Sequence, residues 1–358
     1  MKRIMFYSMT MNSGGAERVI ANLANELIND NEVAIATLIK SESYYELNKD
    51  IVIFQSSESS KETIIQRIKN SFRLLNNTKK YEPDIIISFC PTMCFISCFF
   101  KIFVKKFRNI KLIISERNDP KNEYKNIISR FLANYLYSKS DVIVFQTKGA
   151  KSFFSKKVQN KGVIIPNPIN NKFLASNIHQ KKDNIIINVG RLESQKNHEL
   201  LIKACKNVFK KNNDWILRIY GEGSLKKHLK FLINDLNMND KIYLMGRCNN
   251  LDKELKKGKI FVLCSNYEGM PNALMEAMAC GLACVSTDCP CGGPSELIEN
   301  NKNGLLVPVN NTKELEKAIN KIIVDNELQK KLSNNSKRII ELYNFDVIMK
   351  DWKIIIDD

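Results

Sequence analysis

The segment SNYEGMPNALMEAMACG, residues 265–281, follows the apolar run IFVLC and predicts a strand, a loop and then a helix. Pro271 suits the first helical position, and good helix formers occupy positions 273–278. Gly281 suits the end of this helix, because glycine readily adopts the left-handed conformation found there. A loop between a strand and a helix is where parallel α/β sheets bind ligands, so this loop is the first candidate for a site.

Two carboxylates flank the start of the predicted helix. Glu268 lies in the loop, and Glu276 lies more than one turn inside the helix. Between them, we expect free amides of residues 271–274 and the positive end of the helix dipole to favour a diphosphate. The carboxylates accept hydrogen bonds, so they suit the hydroxyls of a sugar and of a ribose on either side. The pattern predicts a nucleotide-sugar site; the alternative is a solvated helix glutamate and an ordinary loop charge.

Length and composition indicate a globular protein of two domains. The chain has 358 residues, of which 44% are hydrophobic and 26% charged. The net charge of +17 favours an anionic partner, namely nucleic acid, an acidic membrane surface or a phosphorylated substrate, although a Lys-rich composition can produce part of it. The ten cysteines show neither zinc-ligand nor secreted-disulfide spacing, and MKRIMFYSMT does not resemble a signal peptide. We therefore expect a cytoplasmic protein.

Glycines mark two further loops. Gly14 and Gly15 lie between a strand at 3–9 and a helix at 16–29, where backbone can approach a phosphate; GGAER lacks the G-x-G-x-x-G spacing of dinucleotide sites. In VGRLESQKNHELL, Gly190 ends a strand at 184–190 and precedes Arg191 and Lys196. Two cations there would neutralise a diphosphate and stabilise it as it departs. The alternative for this pair is a solvated surface.

Apolar runs alternate with amphipathic helices, which predicts parallel sheets covered on both faces. Further strands are predicted at 33–39, 51–54, 84–89, 110–115, 141–145, 215–220, 241–244, 260–264, 283–287 and 304–307, and helices at 196–211 and 224–236. The extended sequence Pro166-Asn167-Pro168 marks the domain boundary. We expect two similar α/β domains that face each other across a cleft. His198 is expected on a helix surface.

Two segments resemble membrane-binding helices. The run from Phe99 to Lys111 predicts a basic amphipathic helix with Phe99, Phe103, Phe107 and Ile110 on one face, and the helix near 61–80, which includes Lys61, repeats the pattern. Such helices suit the surface of an anionic bilayer, and packing on the sheet is the alternative. Pro91 and Lys101 interrupt the apolar segment 85–104, so we expect a strand, a loop and a short helix there and no membrane span.

Five motifs occur in order: GGAER, NPI, VGRLESQKN, EGMPNALMEAMACG and DCPCGGPSELI. Together they resemble the family-4 retaining glycosyltransferases of the GT-B fold, and the resemblance covers nearly the whole chain. It implies an α/β protein of two Rossmann-like domains that transfers a hexose or N-acetylhexosamine from a nucleotide-sugar, usually a UDP-sugar. It also implies no metal and no other cofactor, and often a lipid carrier in bacterial surface-glycan synthesis.

The resemblance assigns roles to residues of the matching motifs. Glu268 would bind the donor sugar, Glu276 the ribose, and Arg191 with Lys196 the diphosphate, with Gly15 closing over it. The remaining donor-binding candidates are Gly14, Gly190, Gly269, Met270, Pro271, Asn272, Ala273 and Leu274. The last helix, FDVIMKDWKIII, would return to the first domain, which gives domains at 1–168 and 169–340 and a terminal helix segment at 341–358.

One motif departs from the family. Relatives often carry a histidine after the strand at 110–115, whereas this chain reads SERNDP, with Glu116, Arg117 and Asn118. Because a guanidinium stays charged at neutral pH, Arg117 could hold a phosphate or an acceptor oxygen but could not act as a base.

These observations predict a retaining glycosyltransferase in which the departing UDP phosphate receives the acceptor proton. The acceptor is expected to be a lipid-linked glycan, and the protein to lie at the inner face of the cytoplasmic membrane. GDP- or ADP-sugar use on a soluble acceptor, and a non-catalytic sugar-binding protein, are the alternatives. No nucleic-acid-binding motif is recognisable in the sequence, so we expect no nucleic-acid partner.

Overall fold

Isoleucine-rich runs form the strands of two separate parallel sheets, as the sequence predicted. The computed structural model describes residues 1–12, 14–57, 63–174 and 182–358. Ser13 of the first glycine loop and Lys61 of the second basic helix lie outside the described residues. The chain divides into unit 1, Met1–Pro166 with Met349–Asp358, and unit 2, Asn167–Ile348.

Unit 1 contains a seven-stranded sheet in which all strand pairs are parallel, in the order β3-β2-β1-β4-β5-β6-β7. Its strands are β1 Arg3–Ser8, β2 Glu32–Thr37, β3 Val52–Gln55, β4 Ile85–Phe89, β5 Lys111–Glu116, β6 Val142–Phe145 and β7 Gly162–Ile164. Its helices are α1 Gly15–Leu27, α2 Ile64–Tyr81, α3 Pro91–Phe103, α4 Pro120–Glu123, α5 Ile127–Tyr137, α6 Lys148–Ser152 and α7 Lys156–Gln159, with a 3₁₀ turn at Lys105–Asn109. Capping boxes start α2 at Thr63 and α5 at Asn126.

The strand order determines which face of the sheet each helix covers. The connections through α2, α3 and α5 all advance towards β7, whereas the connection through α1 runs towards β3. Because crossovers between parallel strands are right-handed, α2, α3 and α5 cover one face and α1 covers the other.

Unit 2 contains a six-stranded parallel sheet in the order β10-β9-β8-β11-β12-β13. Its strands are β8 Asp183–Val189, β9 Ile216–Tyr220, β10 Ile242–Gly246, β11 Gly258–Leu263, β12 Ala283–Thr287 and β13 Leu305–Val307. Its helices are α8 His198–Lys211, α9 Lys226–Asp235, α10 Leu251–Lys257, α11 Asn272–Ala279, α12 Gly293–Leu297, α13 Thr312–Val324, α14 Asn326–Ser336 and α15 Ile339–Tyr343, with 3₁₀ turns at Asn171–Phe173 and Ser194–Lys196. Alternate strand residues supply two cores: Ile186 points to one face of the sheet, and Ile185 and Ile187 to the other.

The last helix, α16 Phe345–Asp357, carries the chain back into unit 1 from Met349 onward. Trp352 is fully buried and stacks on Phe89 at the end of β4, with ring centroids 6.1 Å apart. The Lys353 ammonium lies 3.2 Å from the Glu26 carboxylate on α1. The return of the terminal helix to the first half agrees with the sequence prediction.

The helix predicted from Phe99 to Lys111 was wrong. α3 ends at Phe103, Val104 is extended, and a separate 3₁₀ turn follows before β5. The break lets Phe107 enter the core, where its ring packs 5.3 Å from that of Phe100. The strand, loop and short helix expected across residues 85–104 are confirmed. None of the described helices combines the length and the apolarity needed to cross a membrane.

Candidate active site

An ion pair joins the loops that follow two neighbouring strands of unit 2. The Lys196 ammonium lies 2.5 Å from Oε1 of Glu268, and both side chains are largely buried. Lys196 follows β8 and Glu268 follows β11, and the chain leaves these two strands in opposite directions along the sheet. Such a topological switch point opens a crevice at the carboxyl ends of the strands, so the pair lies where an α/β sheet binds its ligand.

Backbone geometry holds Lys196 in place. It ends the 3₁₀ turn at Ser194–Lys196, and Asn197 next to it adopts a left-handed conformation with φ of 47° before α8 begins. At Gly190, a Cβ atom would lie 3.2 Å from the Lys196 side chain, so glycine leaves room for the lysine stem. The turn at Ser194–Lys196 and the space beside Gly190 together allow the lysine to reach Glu268.

Ser265 is a second partner of Glu268. Its hydroxyl donates to the same Oε1 at 2.6 Å, and its own carbonyl accepts from the Thr287 hydroxyl at 2.6 Å, at the end of β12. Three adjacent strand ends thus contribute to one polar cluster. Oε1 already has two partners, which leaves Oε2 of Glu268 as the oxygen that can accept from a sugar hydroxyl.

Arg191 lies at the exposed edge of this cluster. Its guanidinium donates to the Gln195 side chain at 3.3 Å, and Gln195 donates to the carbonyl of Tyr267 at 3.0 Å, beside Glu268. An exposed guanidinium held by one neutral partner keeps most of its donors for an anion.

The helix N-terminus differs in one respect from the expectation. α11 begins at Asn272, with Pro271 as its cap; Pro271 has no N–H, and the N–H of Leu274 already donates to the Pro271 carbonyl at 3.0 Å. The first-turn donors that remain for an anion are those of Asn272 and Ala273. At the other end, Gly281 has φ of 66°, as predicted for the residue that ends this helix.

The remaining donor-binding candidates lie on this loop and helix. Glu276 is buried on the second turn of α11, and Met270 is buried just before the helix. The carbonyl of Gly269 packs so closely on Gly293 that a Cβ at Gly293 would lie 1.7 Å from it. The Asn272 side chain accepts from Asn167 at 2.7 Å. The loop is thus held between α12 and the start of unit 2.

The candidates Glu116, Arg117 and Asn118 belong to unit 1. Glu116 ends β5 and is fully buried; its Oε2 accepts from the hydroxyls of Tyr124 at 2.9 Å and Tyr137 at 3.1 Å. Burial raises the pKa of Glu116 to about 7, although the tyrosine hydrogen bonds oppose that shift. Its Oε1 has no hydrogen-bond partner among residues 1–12, 14–57, 63–174 and 182–358.

Arg117 and Asn118 face different surroundings. The Arg117 guanidinium lies over the Phe89 ring at 4.7 Å and near the Trp352 ring at 5.6 Å, and burial lowers its pKa to about 9. A guanidinium with this pKa is still charged at neutral pH, so the expectation that Arg117 is no base stands. Asn118 donates to Glu123 at 2.6 Å.

The first glycine loop also lies in unit 1. Gly15 begins α1, and Gly14 is its cap. A Cβ at Gly14 would lie 1.9 Å from a carboxylate oxygen of Glu17, so that carboxylate fills the space beside the loop. The donor-binding roles of Gly14 and Gly15 stay predictions.

One expectation was wrong in this region: His198 is buried rather than on a helix surface. Burial, with the nearby charge of Lys196, lowers its pKa to about 4, so the imidazole is neutral. The sequence carried a signal for this burial, because Leu201, Ile202 and Cys205 follow His198 at the spacing of one helical face and are buried with it.

Sequence reasoning missed Ser265, Gln195, Tyr124 and Tyr137. Ser265 lies three residues before Glu268, a spacing that could have indicated a hydrogen bond across the loop. The two tyrosines have no such signal. Within the part of the chain that the structure describes, no cluster of three or more His, Cys, Asp or Glu side chains could hold a metal ion. The expectation that the reaction needs no metal stays a prediction.

Comparisons with protein families agree with these motifs. The family described as glycosyl transferases group 1 matches residues 169–339, and the family described as Glycosyltransferase Family 4 matches residues 13–173. The chain is 32% identical, over 98% of both chains, to the N-acetylgalactosamine-N,N'-diacetylbacillosaminyl-diphospho-undecaprenol 4-alpha-N-acetylgalactosaminyltransferase of Campylobacter jejuni.

Two further relatives support the same picture. A second Campylobacter jejuni protein, GalNAc-alpha-(1->4)-GalNAc-alpha-(1->3)-diNAcBac-PP-undecaprenol alpha-1,4-N-acetyl-D-galactosaminyltransferase, is 28% identical over 98% of this chain and 97% of its own length. Among solved structures, the sucrose-phosphate synthase of Thermosynechococcus elongatus superposes with a TM-score of 0.86 at 16% identity, covering 100% of this chain and 98% of the other. At that identity the likeness shows the fold alone.

Proposed function

Because this chain belongs to the family-4 glycosyltransferases, we propose that it is a retaining enzyme that moves a hexose or N-acetylhexosamine from a UDP-sugar to a hydroxyl of a lipid-linked glycan. The fold is GT-B, with two Rossmann-like parallel sheets, as the sequence predicted. The glycosyltransferase activity follows from the family; the donor, the stereochemical course and the acceptor are the proposal.

The observation that carries the proposal is the Lys196–Glu268 pair at the switch point of unit 2. A buried carboxylate can accept hydrogen bonds from donor sugar hydroxyls through its second oxygen. The ammonium beside it, together with Arg191 and the first amides of α11, supplies positive charge for a diphosphate. One site thus offers acceptors for a sugar and donors for its leaving group.

The proposed reaction needs no side chain as a nucleophile. A bond forms between the acceptor oxygen and the anomeric carbon, and the bond between that carbon and the β-phosphate oxygen breaks. The acceptor proton passes to the departing phosphate oxygen on the same face of the sugar, which retains the anomeric configuration. Lys196 and Arg191 stabilise the charge that develops on the diphosphate. Stabilisation of this kind is usually the largest single contribution to enzymatic rate enhancement.

The relatives support the proposed acceptor. Both Campylobacter jejuni proteins carry undecaprenol in their names and transfer N-acetylgalactosamine. Together with the net charge of +17, this supports a lipid-linked acceptor and peripheral contact with the inner face of an anionic membrane.

A donor screen tests the proposal directly. Purified protein is incubated with UDP-, GDP- and ADP-linked hexoses and N-acetylhexosamines, and nucleotide release is measured with and without a polyprenol-diphosphate-linked glycan. We expect turnover with a UDP-sugar. Turnover with GDP- or ADP-sugars alone would contradict the proposed donor, and binding of a UDP-sugar without any turnover would favour the non-catalytic alternative.

Arg191→Ala tests the site in the same assay. We expect a loss of turnover of about tenfold to a thousandfold, the scale of removing one group that stabilises developing charge. Lys203→Ala is the matched control, because Lys203 is an exposed cation of α8 whose ion-pair partner is the surface residue Glu199. If both Arg191→Ala and Lys196→Ala keep full turnover, the assignment of the two cations is wrong.

A further inference from the structure

Unit 1 leaves large apolar side chains exposed on two helices that pack against each other. Phe99 and Phe103 project from α3 with ring centroids 4.5 Å apart, and α3 packs against α5. We call the exposed apolar residues of these two helices the α3–α5 surface: Phe99, Phe103, Ile127, Ile128, Phe131, Leu132 and Tyr135. Ile127, Ile128 and Phe131 are 83%, 75% and 73% exposed, so α5 turns much of its apolar surface outward.

The same face of the sheet carries a third helix with this character. Handedness places α2 on the face that α3 and α5 cover. Its exposed apolar side chains are Ile64, Ile65, Ile68 and Phe72, while Leu74 and Leu75 of the same helix are buried. Exposed apolar side chains thus occur on three helices of one sheet face, and clustered exposed apolar residues mark interaction surfaces of soluble proteins.

The charges on these helices have one sign. The sequences of α2, α3, the 3₁₀ turn and α5 contain no Asp or Glu. Their basic residues are Arg67, Lys69, Arg73, Lys79 and Lys80 on α2, Lys101 on α3, Lys105, Lys106 and Arg108 in the turn, and Arg130 on α5. Lys101 pairs with Asp141 and Lys106 with Glu82, but the basic residues remain in excess. Apolar side chains beside a net positive charge complement a surface that is anionic on the outside and apolar beneath.

Unit 2 shows neither feature. Phe231 on α9 and Val324 on α13 are exposed, but each lies on a helix that also carries carboxylates, Asp235 on α9 and Glu314 on α13. The combination of clustered apolar residues and missing carboxylates therefore does not reflect the basic composition of the whole chain.

We propose that the α3–α5 surface, extended by α2, docks on an anionic lipid bilayer with its aromatic and aliphatic side chains in the headgroup region. The purpose of this docking rests on the proposed function, since a lipid-linked acceptor is carried by a bilayer. The docking itself needs no bound donor. Among the residues singled out in the sequence, Phe107 takes no part because it is buried, whereas α5 was not recognised as a membrane-binding helix.

Vesicle co-sedimentation tests the apolar contribution. Wild type and the double variant Phe99→Ser/Phe131→Ser are mixed with vesicles of phosphatidylcholine with phosphatidylglycerol. Because each side chain loses a large apolar surface, we expect partitioning to fall at least about tenfold. The matched control is Phe231→Ser/Val324→Ser, which removes equally exposed side chains from unit 2 and should leave partitioning within about twofold of wild type.

The electrostatic contribution needs a second comparison. Lys105→Gln/Arg108→Gln should weaken binding to phosphatidylglycerol vesicles about fivefold per charge, since a basic residue near an anionic surface contributes about 1 kcal/mol. Vesicles of phosphatidylcholine alone should bind far less wild-type protein, and added salt should reduce the difference.

The outcomes separate this inference from the proposed function, because UDP-sugar hydrolysis is measured without lipid on the same preparations. Hydrolysis that persists while no variant changes vesicle binding, or while wild type ignores anionic lipid, overturns the docking surface and leaves the proposed function intact. Vesicle binding without hydrolysis of any donor supports the docking surface and contradicts the proposed function. A wild-type dimer that dissociates in Phe99→Ser/Phe131→Ser, without vesicle binding, would show that a second copy of the chain covers this surface.

Discussion

Glu116 of unit 1 and Glu268 of unit 2 are both buried at the carboxyl ends of strands, and these two glutamates have opposite surroundings. Glu268 in unit 2 pairs with the Lys196 ammonium and the Ser265 hydroxyl. Glu116 in unit 1 accepts from the hydroxyls of Tyr124 and Tyr137, and burial raises its pKa to about 7. Position in the sheet is similar, so the partners decide the chemistry.

The difference indicates two kinds of site. The Lys196 ammonium and the Glu268 carboxylate hold each other in place, and the cation lies where we propose that a diphosphate binds. Burial raises the pKa of Glu116 to about 7, so its carboxyl exchanges a proton near neutral pH. Unit 2 therefore contains a buried ion pair at this position, whereas unit 1 contains a carboxyl group with a raised pKa.

The largest expected effect comes from removing the cation. Lys196→Met leaves the Glu268 carboxylate buried without its counter-ion, which should lower the free energy of unfolding of unit 2 by about 3 kcal/mol. Turnover should fall about a hundredfold to a thousandfold. Unfolding can be followed at Trp215, the tryptophan of unit 2, in a Trp352→Phe background, since each unit has one tryptophan.

A second substitution tests the source of the stability loss. Glu268→Gln in the Lys196→Met background removes the uncompensated charge, so most of the lost stability should return. Turnover should stay low, because the double variant lacks both the cation and the carboxylate proposed to bind the donor sugar. If stability does not return, the loss in Lys196→Met does not come from the buried charge.

The next effect is a pH dependence that belongs to unit 1. The folded state raises the pKa of Glu116 from 4.5 to about 7, so between these values the folded state binds more protons than the unfolded state. The stabilisation is fully present below about pH 4.5 and is lost as pH rises through about 7, by at most about 3 kcal/mol. Glu116→Gln should abolish this loss, measured by unfolding at pH 5 and pH 8 with Trp352 fluorescence in a Trp215→Phe background.

Glu82→Gln is the control for this experiment, because Glu82 is an exposed glutamate of unit 1 whose ion-pair partner is the Lys106 ammonium. It should keep the wild-type difference between the two pH values. An equal pH dependence in wild type and Glu116→Gln would show that the buried carboxyl does not titrate in this range.

The sequence predicts the positions of the strands and of the loops that carry these residues, but it does not predict which side chains pair. Strand and loop positions follow from local apolar runs and glycines, and the loops with Glu268 and Lys196 follow from the parallel topology. The pairing of those two side chains depends on a lysine stem passing Gly190, and the Glu116 cluster depends on Tyr124 and Tyr137, which approach it only through tertiary packing. The end of α3 at Phe103 depends on core packing, because Phe107 turns inward against Phe100.

The smallest expected effect concerns the space that lets Lys196 reach Glu268. In Gly190→Ala, the new Cβ would lie 3.2 Å from two carbons of the Lys196 stem, so the lysine must shift by a few tenths of an ångström. The backbone of Gly190 does not lie in the left-handed region, and thus alanine adds little backbone strain. Because a small displacement of a charged group reduces its stabilisation of the leaving diphosphate, turnover should fall about threefold to tenfold with almost unchanged stability. Steady-state kinetics measures turnover, and unfolding followed by Trp215 fluorescence measures stability. A loss of stability as large as that of Lys196→Met would show that the alanine disrupts the sheet edge instead of moving the lysine.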